Sequence, residues 1–339
     1  MFTPSIQLVL NIYLRCSAQH VNNAPTMEIL GLSQHPDTKE YLMIMQFADM
    51  GTLEQRPCDC DGDWYTVLTY ATKLASRLAS LHEMDITHKD LHPGNVVLHR
   101  IYIVHLIDVG LSQAAEEECS EDGVYGRLAY LPLEIFQKDQ PYTLKSDVYC
   151  LGTLLWQLVV GIPPQGNAST FRTSDGLREE LIPDAPRAFN NVIRSCWHLD
   201  PDQRPSAREV YNQLMECAAH LAGCIAPQSE DEDKILGALS ITPTPYSSQT
   251  QSFVIGRRTA YQQEQNSNTS SASFALEVAL PSVIHTGSKL YTREQLAHIT
   301  ERHSRTATLG SQLTQDILRH SGQLLENEID LNLRGTFSL

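Results

Sequence analysis

The stretch His88-Lys89-Asp90-Leu91-His92-Pro93-Gly94-Asn95, followed thirteen positions later by Asp108-Val109-Gly110, decides how this 339-residue chain is read. An Asp in a tight loop with an Asn five residues on can orient a hydroxyl nucleophile and hold a metal ion. A second Asp, just after the strand-like run Tyr102–Leu106, offers the carboxylate oxygen that hard Mg2+ prefers. Together these are parts for phosphoryl transfer, a reaction catalysed mostly by positioning and charge neutralisation. A lone His-x-Asp reads more readily as a core histidine beside a helix-start carboxylate, so the surrounding order of elements must carry the argument.

Upstream, the mixed apolar run Leu8, Leu10, Ile12, Tyr13 and Leu14 predicts a short helix. Met27–Leu32 and Tyr41–Phe47 predict two strands, joined through the Pro-Asp turn of Ser33–Thr38 into a hairpin. Two strands are marginal in water, so something must cover them. From Trp64 the period changes: Val67, Leu68, Ala71, Leu74, Ala75, Leu78 and Leu81 recur at three- and four-residue steps, which predicts an amphipathic helix. Val96–Leu98 and Tyr102–Leu106 read as short strands, and Ser112–Gly126 as a polar, acidic loop. Helices are predicted over Ser146–Val160, Arg187–Trp197 and Ala207–Leu221, the last started by Pro205-Ser206.

With these elements in place, the chain resembles the protein kinase family, and specifically its tyrosine-kinase-like branch, over about residues 20–217. HKDLHPGN stands for the family's H-R-D-x-x-x-x-N loop and Asp108-Val109-Gly110 for its D-F-G; Pro132-Leu133-Glu134 is an altered A-P-E. Ser146-Asp147-Val148-Tyr149 with Leu151-Gly152 matches the start of the central helix of the large lobe. Cys196-Trp197 through Asp200-Pro201 to Arg204-Pro205 matches its late C-W-x-x-D-P-x-x-R-P run, and Met45 to Leu53 resembles the hinge. Six such elements in the right order outweigh the bland reading of any one. The resemblance implies an α+β, protein-kinase-like fold, with a partial N-lobe hairpin and hinge over 1–50 and a mostly helical C-lobe over 51–221; composition, not the resemblance, marks 222–339 as a low-complexity, largely disordered tail.

It also implies roles. Asp90 would be the catalytic base within a loop that includes His88 and Lys89, while Asn95 and Asp108 would hold Mg2+ on ATP. Met45, Gln46 and Ala48 would line the adenine side, Ala48 through its backbone and Met45 at the back of the pocket. Glu134 and Arg204 would form a buried ion pair, and Asp147 would brace the catalytic loop from below. The partner would be a protein substrate, and the setting intracellular signalling in the cytoplasm.

There are departures. No G-x-G-x-x-G occurs, and Lys39, in the hairpin turn, is the first lysine, so the pattern is entered near the family's αC helix and reads as an N-terminally truncated domain. That favours, as the competing class, a weak pseudokinase or C-lobe scaffold that binds partners without turnover. Lys89 replaces an Arg and loses its bidentate fork. Val109 is a smaller plug than Phe, and His92 stands where serine/threonine kinases usually carry Lys. The acids Glu116, Glu117, Glu118, Glu121 and Asp122 read first as a solvated loop, and second as a stand-in for an activating phosphate paired with Lys89.

Composition excludes other classes. With 25 Lys+Arg against 40 Asp+Glu, a net charge of −15 disfavours nucleic acid and anionic lipid as partners. The eight cysteines, scattered apart from Cys58-Asp-Cys60 and without a CxxC pair, read as reduced thiols, and none of the 13 histidines has metal-ligand spacing. No signal peptide is read at Met1, and the apolar run Cys150–Ile162 is too short to span a bilayer. Ser, Thr, Gln and Asn dominate 239–274, which predicts disorder; Thr292 and Gln295 have capping-box spacing for a helix at about 292–329.

Overall fold

The computed structural model describes residues 4–18, 24–39, 41–55, 62–99, 103–110, 123–127, 129–136, 140–164, 179–222, 244–270 and 289–292. The expected N-terminal helix is α1 (Pro4–Ser17), and the expected hairpin is β1 (Ile29–Gln34) with β2 (Tyr41–Met45). The hairpin turn lies about two residues later than the sequence suggests, because His35 Nδ1 accepts hydrogen bonds from the Asp37 and Thr38 N–H groups. Val9 and Tyr13 of α1 are buried against Ile29, Met43 and Met45, which covers one face of the hairpin. A parallel bridge from Thr26 to Leu106, with the Leu106 N–H bonded to the Pro25 carbonyl at 2.8 Å, ties the hairpin to the larger lobe.

That lobe is built on α2 (Trp64–Glu83), α3 (Leu144–Val160), α4 (Arg187–Cys196) and α5 (Ala207–Leu221), with α2 packed on α5 and α3. Three of these four starts carry a side-chain cap; α4, which follows Pro186, does not. Asp63 caps α2 by accepting from the Thr66 N–H; Thr143 with Ser146, and Ser206 with Glu209, form capping boxes on α3 and α5. α3 is buried along nearly its whole length, its mostly apolar sequence interrupted by buried Ser146, Asp147, Thr153 and Gln157. Gly152 lets it approach the end of α4: a Cβ there would lie 2.6 Å from Cys196 Cβ. No described helix is long and apolar enough to cross a membrane.

A second hairpin, β3 (Val96–His99) with β4 (Ile103–Leu106), carries the His88–Asn95 loop on one side and Asp108 on the other. Within the segment read as a polar loop, Gly123–Gly126 forms strand β5, because it pairs antiparallel with β6 (Lys289–Thr292). The five acids and the helix expected beyond Thr292 lie outside the described residues.

The expectation of disorder over 239–274 fails for 244–270. Residues Ser248–Ser270 form helix α6, preceded by an extended strap, and the helix packs against α3. The segment is poor in apolar residues on average, but the few it has are well placed. Tyr246 stacks on Trp64 with ring centroids 4.9 Å apart, and Val254 is buried in the core. Polar groups fasten the rest. Asp63 Oδ1 accepts from the Thr244 N–H at 2.6 Å, and Thr250 donates to the Pro183 carbonyl at 2.7 Å. Arg257 pairs with Glu179 at 2.9 Å, and Arg258 donates to the Val160 carbonyl at 2.7 Å. Truncating a buried aromatic costs about 3–5 kcal/mol, so Tyr246→Ala is expected to release the strap. Amide exchange should show residues 244–262 losing protection while α3 keeps it; a disordered segment would show no protection to lose.

Candidate active site

The catalytic loop is held from beneath by one buried carboxylate. Asp147, in the first turn of α3, accepts hydrogen bonds from the His88 N–H at 2.7 Å, the Lys89 N–H at 3.0 Å and the Tyr142 hydroxyl at 2.8 Å. His82 Nε2, at 3.0 Å, completes its shell. Aiming two consecutive N–H groups at one acceptor leaves Lys89 with φ +66°, a strained conformation that the Asp147 contacts maintain. Burial pushes the Asp147 carboxyl up, but the hydrogen bond and charge of His82, with His88, hold it below the usual carboxylate range. Its stabilisation is therefore complete above the unfolded carboxyl's pKa of ~3.9 and lost as pH falls through the lower folded value. Acid titration should show unfolding free energy declining below about pH 4, with a shallower decline in Asp147→Asn.

On this platform stand the residues expected to react. Asn95 Nδ2 donates to the Asp90 carbonyl at 2.9 Å and to Asp90 Oδ2 at 3.2 Å. His92 Nε2 lies 3.5 Å from the same Oδ2, while its Nδ1 accepts from the Gly94 N–H. The Ile107 N–H donates to the Asn95 carbonyl at 3.0 Å and so brings Asp108 alongside. Burial and then the Asp90 charge push the Asp108 carboxyl up, which places two acids in one low-dielectric site. His88 is fully buried, and desolvation lowers its pKa, so it is a neutral packing residue whose Nδ1 accepts from the Asp90 N–H at 3.4 Å. Lys89 is half-buried beside it.

The donor set suits Mg2+. Two mutually repelling carboxylates favour a divalent cation, and Asn95, with its amide nitrogen engaged, has its amide oxygen left for a metal. Among the described residues no group of three or more His, Cys, Asp or Glu forms a closed metal cage. Mg2+ sites of this type instead use one or two carboxylates plus substrate phosphates.

The hinge residues are placed unequally. Met45 ends β2 and packs against the Val9–Tyr13 cluster. The Gln46 N–H is taken by the Glu28 carbonyl at 2.9 Å and its side chain meets His99 Nε2 at 3.4 Å. The Ala48 carbonyl accepts from the Gly51 N–H at 3.2 Å. Glu134 and Arg204 form a bidentate pair, at 2.6 and 2.8 Å.

Three contributors escaped the sequence reading. His82 shows only helical spacing. The Tyr13 hydroxyl, hidden in an apolar run, accepts a hydrogen bond from the Asp108 N–H at 3.0 Å. Glu54, just after the hinge, and Arg127, at the end of the activation segment, form an ion pair at 2.6 Å across the catalytic loop. A Cβ on Gly94 would lie 2.9 Å from Arg127 Nη2, from Glu54 Oε2 and from His92 Cε1, so glycine leaves the room this clasp needs. Gly94→Ala should displace it and cost about 1–3 kcal/mol, read as a lower denaturant midpoint at unchanged slope.

A family model for the protein tyrosine and serine/threonine kinase matches residues 14–214. A protein kinase and PP2C-like domain-containing protein of Arabidopsis thaliana is 26% identical over 245 residues, covering 60% of this chain and 36% of its own length. The probable serine/threonine-protein kinase drkC of Dictyostelium discoideum is 28% identical over 199 residues, 55% of this chain and 26% of its own. The mouse receptor-interacting serine/threonine-protein kinase 4 is 27% identical over 225 residues, 61% and 27% respectively. The chain thus spans between 26% and 36% of the length of these relatives.

Proposed function

Because the chain belongs to the protein tyrosine and serine/threonine kinase family, we propose that it moves the γ-phosphate of ATP to a serine or threonine hydroxyl of a protein substrate. The choice of serine or threonine follows the names of the relatives it resembles. The observation that carries the proposal is the Asp90–Asn95 hydrogen bond with the Asp108 carboxyl brought into the same buried site.

Asp90 accepts the proton of the substrate hydroxyl, held for this by the Asn95 amide. Asn95 and Asp108 would hold Mg2+, which when bound would neutralise phosphate charge. Asp147 and the neutral His88 keep the loop in shape. Met45, Gln46 and Ala48 would line the adenine side; with the Gln46 N–H and the Ala48 carbonyl engaged within the protein, the Ala48 N–H and the Gln46 carbonyl are the backbone groups that would meet it. Residues 1–50 are a partial N-lobe and hinge, and 51–221 the C-lobe, to which 244–270 adds a strap. The setting is cytoplasmic signalling, in keeping with the buried free thiols of Cys16, Cys150, Cys196 and Cys217.

The test is paired. Mg-ATP should raise the thermal midpoint of the chain, and labelled phosphate should pass to a generic serine/threonine substrate. A midpoint unmoved by Mg-ATP in folded protein would sink the proposal. Binding without transfer would favour the partner-binding scaffold instead.

A further inference from the structure

α1 reaches the Asp108-Val109-Gly110 turn through two consecutive residues that carry no role in the reaction as described so far. Ile12 lies against Gly110, whose φ of +82° and contact with this side chain exclude a Cβ. Tyr13 is 1% exposed; its ring packs with Val9 against the hairpin residues Ile29, Met43 and Met45, and its oxygen accepts from the Asp108 N–H at 3.0 Å. Asp108 has φ +59°, a left-handed conformation that non-glycine residues adopt only at a cost. In this conformation the Asp108 N–H bears on the phenol oxygen, which burial and the Asp108 charge keep in its neutral form. Phenylalanine would fill the same volume and leave a buried N–H group without that acceptor. Packing explains the ring; only the turn explains the hydroxyl.

We propose that Tyr13 is a positioning residue, whose phenol oxygen fixes the Asp108 backbone in the left-handed conformation that presents its carboxylate beside Asp90 and Asn95. This rests on the reading of Asp108 as a metal-holding carboxylate. Met45, at the end of β2, packs against the same Val9–Tyr13 cluster.

Two measurements on the full chain separate this role from simple packing. In Tyr13→Phe, amide exchange at Asp108 should quicken roughly 3- to 10-fold, the loss of one neutral hydrogen bond. The Mg2+ concentration giving half of the ATP-induced thermal shift should rise by a similar factor. Val9→Ala, which hollows the same cluster without touching the hydroxyl, should lower the thermal midpoint and leave the Mg2+ requirement unchanged. Wild-type exchange rates in Tyr13→Phe, or an equal Mg2+ shift in Val9→Ala, would overturn the proposal. A wild-type chain that shows no Mg-ATP shift at all sinks the kinase reading, and the Mg2+ role with it. The exchange rates at Asp108 then decide, independently, whether Tyr13 fixes the turn.

Discussion

Asp90→Asn is expected to lower phosphoryl transfer 10²- to 10⁴-fold, the usual contribution of a positioned general base, with little change in the KM for ATP. The substitution is nearly isosteric. The amide oxygen can still accept from Asn95 Nδ2, 3.2 Å from Asp90 Oδ2, so the loop keeps its shape. What disappears is a group able to take a proton from the substrate hydroxyl. The effect on binding should run the other way. Burial and then the Asp90 charge push the Asp108 carboxyl up, and removing that charge lessens the push. Affinity for Mg-ATP should hold or rise while turnover collapses, and the two are read by thermal shift and by steady-state rate on one preparation. Transfer retained within ten-fold of wild type would remove Asp90 from the role of base.

What could be read from the sequence, and what could not, follows from how far apart the interacting residues lie. Asp90 and Asn95 sit five positions apart in one loop, so their bond is written in the motif, and Asp108 follows just beyond the next hairpin. Helix starts were equally local: the Ser206–Glu209 box spans four residues. Contacts that join distant segments through one polar atom were not legible. Glu54 meets Arg127 across 73 positions, and Tyr13 meets Asp108 across 95. Neither pair disturbs the local pattern: Tyr13 reads as one more apolar residue in a helix, and Gly94 as an ordinary loop glycine. The strap failed for another reason. Average composition over 239–274 measures how much apolar surface is available but not where it falls. Tyr246 and Val254 fall on an aromatic and aliphatic surface that the rest of the lobe leaves for them, while Thr250, Arg257 and Arg258 satisfy carbonyls and a carboxylate at its edge. Strand β5 likewise exists only because β6 pairs with it from the far end of the chain.

Arg204→Met is expected to cost about 3–5 kcal/mol of stability, because it strands a buried carboxylate. The Arg204 side chain is 0% exposed and that of Glu134 5%. With the guanidinium gone, the Ser146 hydroxyl at 3.0 Å is the remaining hydrogen-bond donor seen at Glu134. The loss extends further. Arg204 Nε donates to the His198 carbonyl at 2.8 Å and Nη1 to the Lys145 carbonyl at 3.0 Å, and its guanidinium lies 5.0 Å from the centre of the Tyr149 ring. Each contact adds to the deficit. At about 2–4 °C per kcal/mol for a domain of this size, the thermal midpoint should fall by roughly 6–20 °C. The double substitution Glu134→Met with Arg204→Met separates the pair from the packing around it. If the cost is a stranded charge, removing the charge as well should recover most of the midpoint, since well-packed apolar replacements of buried pairs are often near neutral. If the double variant is as unstable as the single one, the arginine's other contacts hold this corner and the ion pair is incidental. Recovery of stability should not bring full activity with it. Glu134 lies close behind Gly126, Arg127 and Tyr130 in the chain, and Gly126 approaches the Lys89 carbonyl of the catalytic loop. An apolar contact without the fork geometry would hold that segment to α3 and α5 while leaving its orientation free, so the double variant should show near-native stability with a raised KM for the protein substrate.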